Sequence, residues 1–134
     1  MSAAVEEAAV LGAAAHLVAC FAAHDSAGYF AAFTPEASFI FHNTAEVLPS
    51  RAAYEALWRR WEREDGFRVL ACASSEQKVD IYSEIAIFTH RVETRVAFGA
   101  DEQQSVERET IIFQRQPGGG WLAVHEHLSP CNFT

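Results

Sequence analysis

Apolar residues recur every three or four positions from Val5 to His24, placing Val10, Ala14, Leu17, Val18 and Phe21 on one face of a helix. The pattern stops at "HDSAG", where Asp25 or Ser26 supplies a cap for a second, short helix carrying Tyr29, Phe30 and Phe33. Thr34-Pro35 is expected to end it, since proline pushes the preceding residue toward extended backbone. "ASFIFHN" then reads as a short strand of aromatic and β-branched residues. Past the loop "TAEVLP", Ser50 is placed to cap a third helix with the apolar stripe Tyr54, Leu57, Trp58 and Trp61. Glu55 and Arg59 stand one turn apart beside that stripe, and Gly66 suits the left-handed position past the helix end. From Phe67 onward the period shortens to two. Strands are expected over about 67–81, 84–98, 103–116 and 120–129, broken by "YS", "GADE" and "PGGG".

The order is helix, helix, strand, helix and four antiparallel strands, with no repeat, low-complexity tract or linker, so residues 1–134 form one domain. One helical layer against one curved antiparallel sheet is an α+β arrangement. Strands of this length must bend or bulge to wrap the helices, which makes a cone-shaped barrel. Its unfilled end is a pocket for a small organic ligand. Phe88, Val92, Val96 and Phe98 alternate with Ile85, Ile87 and Ala97, so both faces of one strand are apolar. A sheet with one solvated face is polar there, and the pattern therefore predicts a homodimer through the outer sheet face.

Composition narrows the function classes. Ten Lys and Arg against eighteen Asp and Glu give a net charge of −8, the wrong sign for nucleic acid or an anionic membrane surface. Cys20, Cys72 and Cys131 form no close pair, which argues against a disulfide framework or a zinc cluster and fits a reducing cytoplasm. The Ala-rich start carries Glu6 and Glu7 where a signal peptide needs basic residues, so it reads as a mature helix. No apolar run is expected to reach the roughly 18–20 residues that span a bilayer, and the protein reads as soluble.

The segments "YFAAFTPEASFIFH", "RAAYEALW" and above all "WLAVHEHLS" resemble the nuclear transport factor 2-like superfamily over nearly the whole chain. Within it, the chain is similar to the SnoaL-like, ketosteroid-isomerase-like branch and to the calcium/calmodulin-dependent protein kinase II association domain. The resemblance implies a cone-shaped α+β barrel with a deep pocket, and dimers or larger assemblies. It implies no single reaction, because the fold hosts isomerases, dehydratases, cyclases and non-catalytic binding modules. The association domain carries an arginine at the place of Arg91 and further arginines at those of Ile111 and Leu128, a basic pocket for small carboxylates. Here the last two positions are apolar and Glu109 and Glu126 lie nearby, a departure that argues against strong anion binding.

In "WLAVHEHLS", strict alternation puts Leu122, Val124, Glu126 and Leu128 on one face and Trp121, Ala123, His125 and His127 on the other. The two histidines and Glu126 then cannot converge on one metal ion, and no H-E-x-x-H helix supplies further ligands. The first face is the more apolar and suits the concave side. Glu126 would be a lone carboxyl in the pocket, with a raised pKa fit for a general acid or base, or else a partner for a structural arginine. Arg91, in the burial-prone strand "AIFTHRVETRV", is expected to be that partner at the pocket floor, with Glu109 completing the cluster. Tyr54 and Trp58 lie on the inward stripe of the third helix, either as core or as ligand platform. Tyr54 is placed to donate a hydrogen bond, as a tyrosine does in the ketosteroid isomerase oxyanion hole. That enzyme also needs a base aspartate and a protonated acid. Asp80 falls near a strand end, and Asp25, Asp65 and Asp101 read as turn or cap residues. His42 marks the expected rim.

There is no G-x-S-x-G elbow and no glycine-rich phosphate loop, "PGGG" being a hairpin turn. The leading expectation is a cytoplasmic homodimer that binds a hydrophobic acid or ketone in the cone. The second is an isomerase, dehydratase or cyclase using Glu126 for proton transfer without metal or nucleotide cofactor. The third, an association module, would need a tethered catalytic domain, and the chain starts and ends within the fold.

Overall fold

The structure is a computed structural model that describes residues 2–131. Helix α1 (Ala3–Ala22) is capped by Ser2, whose hydroxyl accepts the Val5 N–H at 3.2 Å. Its buried face is Val10, Ala14, Leu17 and Cys20, the three–four spacing of an amphipathic helix. By length and composition alone α1 is long and apolar enough to cross a bilayer, contrary to the sequence expectation. Alanine carries little hydropathic weight to the eye but raises the window mean when it fills most positions. In the fold this helix lies chiefly against the sheet.

Asp25 caps α2 (Ser26–Ala31), accepting the Gly28 N–H at 3.0 Å. Strand β1 then spans Phe33–Phe41, so Phe33, Thr34 and Pro35 belong to a strand and not to the helix expected to carry Phe33. The proline that disfavours helix is tolerated at the start of an edge strand, and the β1–β5 pairing is irregular between Phe33 and Ser38. Helix α3 (Arg51–Asp65) begins with the Ser50 hydroxyl accepting the Ala53 N–H at 3.1 Å and ends at Gly66 with φ +64°. Both ends are as expected.

Strands β2 (Phe67–Tyr82), β3 (Ile85–Phe98), β4 (Asp101–Arg115) and β5 (Trp121–Pro130) complete a five-stranded sheet in the order β1-β5-β4-β3-β2. Three of its four pairings are antiparallel. The fourth is parallel, β1 against β5, so the sheet is mixed and not wholly antiparallel. Parallel neighbours need a long crossover, and here most of the chain supplies it. Helices α1 and α3 pack on one face of the curved sheet. Between sheet and helices lies an aromatic core including Tyr29, Phe33, Phe39, Trp58, Phe88 and Phe113.

Irregularities of pairing set which side chains point inward. In β2 the ladder shifts between Ser75 and Lys78, and Glu76 there has φ +51°. In β5 the partners of Ile112 and Phe113 are His125 and Ala123, leaving Val124 as an extra residue.

Candidate functional site

The bulge at Val124 corrects the face assignment of the last strand. Trp121 and Ala123 are buried together with Glu126, whereas Val124, His125 and His127 point to the outer side. Two consecutive outward residues at a bulge let the strand carry Trp121, Ala123, Glu126 and Leu128 on its concave face. Glu126 thus points inward and both histidines point away, as alternation predicted, although Trp121 and Ala123 lie on the opposite face from the one expected. His125 Nδ1 is 2.9 Å from the Ser38 hydroxyl.

The concave face, α1 and α3 enclose a cavity of about 370 Å³. Its inner wall carries Glu126, 2 % exposed, and Glu109, 7 % exposed. Phe21, Phe41, Phe67, Val96, Phe98 and Leu128 supply much of the apolar lining. Among the described lining residues there is no lysine or arginine.

Around Glu126 the geometry is closed by two tyrosines. The Tyr29 hydroxyl donates to Oε1 at 3.0 Å, with Oε2 at 3.3 Å, and the Tyr54 hydroxyl lies 3.1 Å from that of Tyr29. Since Tyr29 has one hydrogen and gives it to Glu126, Tyr54 donates to Tyr29. Burial, and then the charge of Glu109, push the Glu126 carboxyl well above its ordinary range, while the Tyr29 hydrogen bond pulls it back in part. Burial and the nearby carboxyls likewise raise both phenols, which stay neutral donors. A protonated Glu126 accepts from Tyr29 and keeps its own O–H for whatever occupies the cavity.

Glu109 is held differently. His90 Nε2 lies 2.6 Å from Glu109 Oε1, and His90 Nδ1 lies 2.6 Å from the Ser74 hydroxyl. Burial, and then Glu107, push Glu109 up to about 8, and burial pushes His90 down to about 4. Both shifts disfavour charge, so the pair is a neutral carboxyl beside a neutral imidazole. At the rim, His42 Nε2 and Glu107 Oε2 are 2.5 Å apart. Burial pushes the Cys72 thiol on the cavity wall up to about 12, which removes it as a nucleophile at ordinary pH.

Of the residues singled out from sequence, Glu126, Glu109, Tyr54 and His42 meet at this cavity. Arg91 and Trp58 do not. Arg91 belongs to the outer face, where it pairs with Glu93 at 2.9 Å and approaches Glu76 at 3.8 Å, so the expected Arg91–Glu126 unit is absent. The reason is the two-residue period of β3, which buries Ala86, Phe88, His90, Val92 and Thr94 and turns Arg91 outward. Trp58 packs behind the tyrosines, 5.5 Å from Tyr29 and 6.0 Å from Tyr54 between ring centroids. It is core. Two site residues had escaped notice. His90 is inward by the same alternation that places Phe88 and Val92, so a signal for it existed. Tyr29 reaches Glu126 across 97 residues of chain, and no local pattern announces that contact.

The SnoaL-like domain model matches residues 10–132. No curated protein matches the chain. Among solved structures, an NTF2-like protein of Rhodospirillum rubrum is 18 % identical with a TM-score of 0.77, over 91 % of this chain and 98 % of that one. A protein from Exiguobacterium sibiricum, described as a Ca/calmodulin-dependent kinase II association domain, is 13 % identical with a TM-score of 0.79, over 100 % of this chain and 99 % of that one. A protein from Catenulispora acidiphila, solved in complex with S-DNPA, is 12 % identical with a TM-score of 0.76, over 93 % and 92 %. At such identities these likenesses speak for the fold alone, but the domain model covers most of the chain. The protein belongs to the SnoaL-like domain family, with the NTF2-like fold.

Proposed function

We propose that the cone binds a small, uncharged, mainly apolar organic molecule whose carbonyl or hydroxyl oxygen accepts a hydrogen bond from Glu126. The observation that carries this reading is the Glu126 carboxyl itself: 2 % exposed, bonded to Tyr29 and facing a cavity whose described lining holds no cation. An anionic ligand would find no lysine or arginine among the described lining residues to offset its lost hydration. Of the hydrophobic acid and ketone suggested by sequence, the ketone is the better fit. The Catenulispora acidiphila protein, solved in complex with S-DNPA, supports the reading that a protein of this fold takes a ligand.

The test is calorimetric titration with matched panels of ketones, alcohols and carboxylates of one carbon skeleton. Binding of the neutral members, lost in Glu126→Leu, is the expected result. Preference for the carboxylates would overturn the reading.

A second reading, proton-transfer catalysis of isomerase, dehydratase or cyclase type, is favoured by the upward displacement of the Glu126 carboxyl. A carboxyl held protonated by burial in a cavity can give its proton to a bound molecule and take one back. Deuterium incorporation next to the carbonyl of a bound ketone, followed by NMR, would be expected with the unaltered protein and abolished in Glu126→Gln. An unchanged rate in that variant would remove Glu126 from the chemistry. An association module of the kinase type is the third reading, and no observation at the cavity favours it. We place the protein in the cytoplasm, on its acidic composition and three free thiols.

A further inference from the structure

The geometry points to a proton-exchange path that runs from Glu109 on the cavity wall through His90 and Ser74 to solvent at the bulge of β2. It rests on the reading of the cone as the working site and gives Glu109 a role distinct from that of Glu126. Four side chains lie in sequence: Glu109 Oε1 to His90 Nε2 at 2.6 Å, His90 Nδ1 to Ser74 Oγ at 2.6 Å, and Gln77 Nε2 to Ser74 Oγ at 2.9 Å. The first two are buried, the His90 side chain completely, Ser74 is half-buried and Gln77 is exposed. The chain of contacts therefore leads from the cavity to the edge of the sheet, since β2 is the last strand in the sheet order.

Donor counting sets the direction of each bond. Gln77 has only hydrogens to offer through its Nε2 and occupies one lone pair of the Ser74 oxygen. If His90 carries its proton on Nδ1, it fills the other lone pair, and the Ser74 hydrogen is left for water at the bulge. Nε2 is then a bare acceptor, which the protonated Glu109 satisfies. In the opposite tautomer Nε2–H donates to Oε1 of a Glu109 protonated on its other oxygen and the Ser74 hydrogen turns inward to Nδ1, which is the neutral arrangement reached after one transfer along the chain. The bulge lies at the point of exit. The β2–β3 ladder shifts between Ser75 and Lys78, and Glu76 takes a left-handed φ of +51°, a conformation non-glycine residues adopt rarely.

The step balances. A proton delivered from the cavity to the second oxygen of Glu109 releases the proton on Oε1 to His90 Nε2. His90 gives its Nδ1 proton to Ser74, and Ser74 gives its hydroxyl proton to water. One proton enters and one leaves, and every group ends neutral. A proton arriving from the solvent end moves the same hydrogens back. His90 and Ser74 touch no ligand and act as positioning and relay residues.

The experiment needs only the ligand-free protein. Nitrogen-15 NMR of His90 is expected to show a neutral imidazole whose ring proton exchanges with water. Ser74→Ala should slow that exchange on the order of tenfold or more, the low end of the effect of a positioned proton-transfer group, and Ser74→Thr, which keeps the hydroxyl, should restore it. A histidine that is merely satisfied in the core would show no such rescue. A charged His90 in the unaltered protein at neutral pH would overturn the proposal, whether or not Ser74→Ala folds, and so would exchange indifferent to the loss of the Ser74 hydroxyl. Failure of the ligand reading would show instead in the titrations with Glu126→Leu, so the two can fail separately.

Discussion

Glu109 and His90 are shifted away from charge in opposite directions, and the two shifts act on stability in different pH windows. The folded protein holds the Glu109 proton up to about 8, whereas the unfolded chain releases it near 4.5. Stability from this group is therefore full at low pH and is lost as pH rises toward 8. His90 stays neutral down to about 4 while the unfolded chain binds a proton below 6.5, so it lowers stability as pH falls through that range. Between 4.5 and 6.5 the two oppose each other. Above 6.5 His90 no longer opposes Glu109, and the raised Glu126 carboxyl likewise makes stability fall as pH rises. Chemical denaturation should show unfolding free energy declining by roughly 2 kcal/mol from Glu109 alone between pH 6.5 and 8, from 1.36 kcal/mol per pK unit. Glu109→Gln should flatten that slope, and an unchanged slope would mean that Glu109 is ionised in the fold. The coupled pair at this scale is Tyr29 with Glu126. A double-mutant cycle of Tyr29→Phe and Glu126→Gln should give an interaction of about 1–2 kcal/mol. Arg91→Met, on the outer face with exposed partners, should cost less than about 1 kcal/mol. Glu126 was legible in the sequence because an isolated carboxylate in an apolar strand has few places to go. Arg91 misled because its charge drew notice that the alternation of β3 gave to His90.

The helix boundaries follow from single side chains. Ser2, Asp25 and Ser50 each turn an oxygen back onto the first turn, and the caps at Asp25 and Ser50 are read directly from sequence. At the other end of α3, a Cβ added to Gly66 would sit 3.0 Å from the Gly99 nitrogen, and Gly66 is in the left-handed region. The Gly66 carbonyl also accepts the Gly99 N–H at 3.1 Å, tying the helix exit to the β3–β4 turn. Gly66→Ala should cost about 1–3 kcal/mol in equilibrium unfolding, and a neutral result would mean that the turn yields freely. The positions of the bulges are what sequence concealed. Val124 and the Ser75–Lys78 segment of β2 look like ordinary strand residues, since a bulge is set by how two strands must bend together and not by the preference of either. Strand β1 was misplaced at its start for a related reason: Thr34-Pro35 excludes helix but does not say that the extended segment will find a partner in β5.

The outer sheet face gathers Ile85 and Ile87 from β3, Ile112 from β4 and Leu122 and Val124 from β5, all partly buried, with Ile87 and Ile112 directly paired across strands. We propose that this face joins two copies of the chain. Sedimentation at micromolar concentration should give a dimer, and Ile87→Lys combined with Ile112→Lys should give a folded monomer. A monomeric unaltered protein would refute it. The α+β class and the order of elements were legible because periods of 3.6 and 2 are local properties. The partnership of β1 with β5 was not, because it joins segments separated by most of the chain. That partnership has a consequence for the order of synthesis. Strand β5 lies between β1 and β4, yet it leaves the ribosome after both. Until it arrives, β1 has no neighbour in the sheet, β4 has an open edge, and Tyr29 waits for a carboxyl that has not been made. The nascent protein therefore holds unpaired strand edges on β1 and β4 open to other chains, and the cavity closes only as a late event of folding.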